Sequence, residues 1–207
     1  MPRLAALAFL MALYGASMAH AADKTAPSPT PAPAPAKPAS GENLLVEQPK
    51  GWQPIHRDKQ TTVLTTRFAP IGQTPQNWTQ LLTVQVLYGV KDQAPVALLE
   101  QIRQAGEAGC EAVGAGTVGQ NPINGYPAAM RVLGCTRNRE SGRGEITMAL
   151  ALQGRDSAYL IQLGWRGEPF KASDPLPLPR ETMKEWLTIV DHVWLCDTRD
   201  PKKRCDR

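Results

Sequence analysis

Apolar and polar residues alternate most regularly between Leu82 and Tyr88. Leu82, Val84, Val86 and Tyr88 share one side, with Thr83, Gln85 and Leu87 on the other. Successive strand side chains point to opposite faces, so this repeat of two, rich in β-branched and aromatic residues, predicts a strand buried on one face and half wet on the other. With the residues leading into it from Asn77, it is the stretch about which the chain is expected to be organised. Trp78 is isolated by the turn residues Gly72 and Pro75 and is expected to fold over the start of this strand as a lid on the core. Its alternative role is a stacking platform for a ligand.

Further strands follow from the same pattern. Residues 52–56 predict a short edge strand broken by Pro54, and residues 61–68 a second strand. Residues 128–135 predict another. In residues 145–153, Ile146, Met148, Leu150 and Leu152 share a face; in residues 158–165, Tyr159, Ile161, Leu163 and Trp165 do. The Gly154-Arg155-Asp156-Ser157 turn between these last two predicts antiparallel neighbours. Two stretches repeat at three and four instead. A helix starting at Asp92 or Ala94, with Pro95 in its first turn, places Leu98, Leu99, Ile102 and Ala105 in one stripe and ends at Gly106 and Gly109. A second, over residues 180–190, aligns Met183, Trp186, Leu187 and Val190. The expected fold class is α+β: an antiparallel β-sheet of about six strands covered by two main α-helices, with two disulfides, over residues 44–207.

The ends of the chain change the picture. Residues 1–21 carry Arg3, an apolar run over residues 4–14 and the small-x-small triplet Ala19-His20-Ala21. That is a bacterial-type export leader cleaved between Ala21 and Ala22, its apolar run too short for a comfortable membrane span. Retention as an anchor is the alternative; after cleavage no stable membrane insertion is expected. Residues 22–43 form a proline- and alanine-rich linker. Its alternating prolines remove backbone donors and favour polyproline II, and the stretch over residues 27–40 alone has a reach on the order of 40 Å. It is read as a spacer or as a plain leader segment.

Lys and Arg total 23 against 19 Asp and Glu, a formal net charge of +4, one unit of which is Arg3 of the leader. So mild a balance gives no case for nucleic acid. The basic cluster over residues 199–207 is either a solvated tail or a contact for an anionic envelope surface. Four cysteines in an exported chain predict two disulfides. Of three possible pairings, Cys110–Cys135 and Cys196–Cys205 are favoured. The first clamps a helix end to a strand; the second closes a hydrophilic loop that turns at Asp200-Pro201. Each loop contributes roughly 3 kcal/mol by chain entropy. No Cys-x-x-Cys occurs, and beyond the leader only His56 and His192 remain, so no metal site is assigned.

No serine-nucleophile elbow, zinc-protease helix or phosphate loop is present. Gly114-Ala115-Gly116-Thr117-Val118-Gly119 spells the dinucleotide fingerprint. That motif works only between a strand and a helix, and here it runs into Asn121-Pro122, so no cofactor is assigned. No catalytic residue is assigned either. A carboxylate pair of the glycosidase kind would not be visible as a sequence spacing. The charged turn over residues 137–143, with Arg137 and Arg139, is a candidate contact loop.

Gly51-Trp52, Asn77-Trp78-Thr79 leading into Leu82-Thr83-Val84-Gln85, Asn124-Gly125-Tyr126-Pro127, Gly154-Arg155-Asp156 and Cys196-Asp197-Thr198-Arg199 together resemble an uncharacterised group of secreted proteobacterial proteins. The resemblance covers most of residues 44–205. The order of elements is similar to the PsbP/Mog1-like fold, an antiparallel sheet covered by helices. Members of that fold are mostly binding or assembly modules, and no catalytic residues carry over. The expectation is a periplasmic or secreted, non-enzymatic protein-binding or envelope-assembly module whose partner is another envelope protein. The alternative is a small exported ligand-binding protein or hydrolase with a cleft near Trp78 or Trp165, and Arg166 or Glu168 at its rim. The candidate contact residues are Trp78, Trp165, Arg166, Arg137 and Arg139.

Overall fold

The computed structural model describes residues 41–206. The expected leader, the expected cleavage between Ala21 and Ala22 and nearly all of the expected linker lie outside these residues. In chain order the elements are β1 (Glu42–Leu45), β2 (Trp52–Lys59), β3 (Val63–Pro70), β4 (Gln80–Tyr88), α1 (Pro95–Gly109), β5 (Val113–Ala115), β6 (Gly119–Gln120), β7 (Ala128–Cys135), β8 (Gly144–Gln153), β9 (Ser157–Gly167), α2 (Arg180–Asp191) and β10 (Trp194–Asp197). β1 begins two residues before the expected start of the domain at residue 44.

The main sheet is antiparallel, in the order β2-β3-β4-β9-β8-β7-β5, with β6 also paired to β7; β1 and β10 form a separate two-stranded sheet. The sheet therefore has eight strands rather than about six. All six expected strands are present. The additions, β5 and β6, are three and two residues long in a glycine-rich stretch where no side-chain period exists to signal them. They are strands only because β7 offers an edge. The fingerprint-like glycines consequently sit in and between two edge strands, with no helix following.

The centre of the sheet is β9, not β4. β9 and β8 are buried on both faces over most of their length, whereas β4 stands third from the β2 edge. The physical reason lies in the pattern itself. A strand with one wet face alternates most strongly, and a strand buried on both faces loses contrast, here through Ala149, Ala151 and Ala158. The predicted edge position of β2 is correct, but the strand is longer than residues 52–56. It passes Pro54 through a register shift between Pro54 and His56 instead of ending there.

Each face of the sheet carries its own core. On one, Leu82, Ile146, Met148, Leu150, Leu152, Tyr159, Ile161 and Leu163 pack against Trp186 and Ile189 of α2, against Val193 and against Leu195 of β10. Phe170 and Leu178, from the proline-rich segment before α2, close the same layer. On the other face, Leu98 and Leu99 of α1, with Ile102, lie on Ala129, Ala149, Ala151, Ala158 and Leu160. The alanines let the helix approach closely. Two expected stripe positions are exceptions: Ala105 is exposed, and so is Leu187, at 43%. Trp186, fully buried, is the centre of its helix face, so Ile189 and Val190 complete the stripe and Leu187 falls on its flank.

Both expected disulfides are formed. Cys110–Cys135 ties the end of α1 to β7, and Cys196–Cys205 closes the C-terminal loop.

Candidate functional site

The core under α1 occupies only part of its face of the sheet. Beyond it, alternation along β3, β4 and β9 brings up polar side chains. Arg67 lies directly across from Thr83, and Thr83 across from Gln162; in the next row Thr65 faces Gln85. Gln162 donates to Gln85 (3.3 Å) and Gln85 donates to Thr65 (3.2 Å), a side-chain ladder running across three strands. Above this floor is a cleft of about 690 Å³, lined also by Pro75, Gln76, Trp78, Leu81, Arg166 and, from the turn before β8, Asn138, Glu140 and Ser141.

Trp78 forms one wall, and its position is built in. Gln73 accepts from the Thr79 backbone N–H (2.7 Å) and donates to the Thr79 hydroxyl (2.9 Å). Asn77 accepts from the backbone and hydroxyl of Thr74. The indole then lies over Gly164 of β9, where a Cβ would touch the ring at 3.5 Å. Glycine gives the ring a flat seat. The Arg166 guanidinium is 3.9 Å from the ring centroid and pairs with Glu145 at 2.8 Å, both charged side chains 18% exposed. Such a stack fixes a cation in place as well as attracting it. Trp78 is therefore half-buried against the second face of the sheet, and it does not cap the main core as the sequence led us to expect.

The sequence-derived contact residues divide. Trp78 and Arg166 come together. Trp165 points to the opposite face, packed into the α2 core beside Gly167, so the sheet separates it from Trp78 and no shared cleft exists. Arg137 pairs with Glu111 (3.6 Å), and Arg139 donates to the Cys110 carbonyl (3.1 Å). Both cations turn toward the end of α1 while their neighbours Asn138, Glu140 and Ser141 line the cleft. Glu168 is exposed and pairs with Arg143. His56 and His192 are exposed and lie outside the cleft. Arg67, Gln85, Gln162 and Glu145 were missed; the readable signal was Gln162, one amide in the apolar run of β9. Among the described residues no cluster of three His, Cys, Asp or Glu side chains could hold a metal ion. Nor is any helix among them long and apolar enough to cross a membrane.

A second polar cluster closes the other end of β9. Glu42 accepts from the backbone N–H groups of Arg155 and Asp156 and from the Tyr159 hydroxyl (3.2 Å). Asp197, 1% exposed, accepts from Arg199 through Nε (2.8 Å), Nη2 (2.7 Å) and the backbone N–H (2.9 Å), while Arg199 also pairs with Asp156. Those bonds hold the Asp197 carboxyl below the usual carboxylate range. Lys203 donates to the Asn124 carbonyl (2.6 Å) and lies 4.6 Å from the centre of the Tyr126 ring. Burial, then the charge of Glu42, pushes Tyr126 up to about 12. Asn124 and Gly125 both adopt positive φ, the backbone that a tight Asn-Gly turn requires. Three of the segments that carry the family resemblance thus meet in one clasp. Two cations of the C-terminal basic cluster, Arg199 and Lys203, belong to it, while Arg204 pairs with Asp206.

No protein-family model matches the chain, and no curated protein matches it in sequence. Solved structures do match in shape. A point mutant of protein Mog1 superposes with a TM-score of 0.50 at 13% identity, covering 75% of this chain and 92% of that one. The Saccharomyces cerevisiae Ran-binding protein Mog1p gives 0.50 at 12% identity, covering 78% and 98%. A Pseudomonas aeruginosa protein of unknown function gives 0.42 at 14% identity, covering 74% and 96%. At these identities the Mog1 likeness establishes the fold, in agreement with the expected Mog1-like arrangement.

Proposed function

We propose that this chain is an exported, periplasmic protein-binding or envelope-assembly module, and that its partner, another envelope protein, contacts the half of the sheet that α1 leaves bare. The observation that carries the reading is the preformed cleft: Trp78 is pinned by Gln73 and seated on Gly164, and Arg166 is held by Glu145. Rigid aromatic and arginine groups in a concave polar surface are the usual anchors of protein recognition. Two disulfides suit an oxidising compartment, in keeping with the leader over residues 1–21 and the linker over residues 22–43. Mog1p is by its own description a Ran-binding protein, so in that protein the fold serves to bind another protein. Membership of the secreted proteobacterial group belongs to the same proposal.

The clasp and the cleft occupy opposite ends of β9. Tyr159 hydrogen-bonds Glu42 of the clasp, and Arg166 stands seven residues further along the same strand, roughly 23 Å away. The test is site-specific photo-crosslinking in the native bacterial envelope, from Gln76 and Glu140 on the cleft rim and from Val96 on exposed α1 as control. One protein captured from both rim positions and not from Val96 is the expected result. Recovery of uncrosslinked monomer alone would overturn the reading. The cleft volume and polar lining also suit a small polar ligand, the second reading, which a metabolite screen would then address.

A further inference from the structure

The charges around the cleft are not balanced alike. Arg166 is neutralised by Glu145 and stacked on Trp78. The side chain of Arg67, on the floor and exposed, has no ion pair or hydrogen bond among the described residues. On the other side of β4 and β9, exposed Glu140 adds a negative charge to the rim. The cleft thus offers one uncompensated cation on its β3 side and an acid on its opposite side. Across β4 and β9 from Arg67 stand Thr83 and Gln162, and beside them runs the Thr65–Gln85–Gln162 ladder, in which each side-chain amide nitrogen already donates and the Gln162 side-chain oxygen is left to accept.

We propose that the cleft takes an extended segment of a partner polypeptide carrying a single carboxylate, which pairs with Arg67. This rests on the reading of the cleft as a protein-binding surface. A carboxylate matches the fork of one guanidinium. A phosphodiester chain or a polyphosphate needs several cations in sequence, and Glu140 would repel it. The Gln162 carbonyl accepts a backbone N–H of the segment, and the Trp78 ring wall takes an apolar side chain beside the acid. An exposed arginine makes the pairing sensitive to salt.

The test pans a phage-displayed library of short random peptides on the oxidised full-length protein, then measures selected peptides by fluorescence polarisation. Each peptide is compared with its acid-to-amide counterpart, on wild type, Arg67→Gln and Trp78→Ala. The expected result is an acid in the selected peptides and an affinity about tenfold lower when either that acid or Arg67 is neutralised, with no further loss when both are. The peptide substitution requires no variant to fold, and Arg67 lies outside both cores. Peptides that lose binding in Trp78→Ala but are indifferent to Arg67→Gln would overturn the acidic-segment inference and leave the protein-binding reading standing. Peptides indifferent to both variants would overturn both. A single-stranded oligonucleotide that displaces the peptides at equal concentration would replace the polypeptide partner with a nucleic acid and overturn the inference.

Discussion

The clasp at Asp197 and the cleft at Trp78 are built from the same kinds of side chain: carboxylates, arginines, an aromatic ring under a cation and a disulfide close by. Their difference is in completion. In the clasp, Glu42, Asp156, Asp197, Arg199 and Lys203 all have partners within the chain. In the cleft, Arg166 and Glu145 satisfy one another while Arg67 and Glu140 make no ion pair among the described residues. A closed polar network fixes the position of chain segments, and an open one leaves charge to be met from outside. Residue type does not distinguish the two regions; what is left unsatisfied does.

The largest expected effect tests whether the cleft depends on its own staple. Cys110–Cys135 closes the longer loop, a separation of 25 residues, behind the turn that supplies Asn138, Glu140 and Ser141. Replacing both cysteines by serine should cost about 3.5 kcal/mol, against about 2.5 kcal/mol for the nine-residue loop of Cys196–Cys205. Denaturant midpoints of the two double variants would reveal the order, and a reversed order would make the clasp disulfide the more important one. Next, Asp197→Ala leaves Arg199 without its buried partner. Because Arg199 is itself 42% exposed and keeps Asp156, no charge is stranded in the interior, and the loss of the charge-assisted hydrogen bonds to Asp197 should cost about 2 kcal/mol, again read from the denaturant midpoint.

Acid should separate the regions more gently. Hydrogen bonds from Arg199 depress the Asp197 carboxyl, and Arg103 is the chief cause that lowers Glu100 from 4.5 to about 2. Groups whose folded values are depressed add stability that is complete above their unfolded values and lost as pH falls through the folded ones. Thermal midpoints are therefore expected to hold down to about pH 5 and decline below about pH 4 toward pH 2, less steeply in Asp197→Ala. An equal slope in that variant would remove Asp197 from the account. The smallest effect is Arg67→Gln, within about 0.5 kcal/mol of wild type in stability, because the side chain is exposed and unpaired. A larger loss would show that the cleft, like the clasp, is closed.

Much of the fold was legible in the chain. The alternation in β4, β8 and β9, the stripes of α1 and α2 and the spacing of the cysteines report local geometry and compartment. A period of two or of three and four is imposed by the backbone itself. Leu187 shows the limit of that legibility: its spacing suits the α2 stripe, yet the rotation of the helix about Trp186 leaves it in solvent. The cleft was legible only in part, since Trp78 and Arg166 stood out as residue types while Arg67, Gln85 and Gln162 lie on three strands far apart in sequence.

What the sequence determined by itself is therefore the α+β class, the six main strands, the two helices and the two disulfides, all consequences of short-range periodicity or of loop chemistry. Only the tertiary structure decided that β9 is central, that β5 and β6 are strands, that Trp165 and Trp78 lie on opposite faces, and that the polar half of the sheet stays bare beyond α1. Those outcomes depend on strand order and register. Pairings between residues tens of positions apart settle them, and no local repeat encodes such pairings.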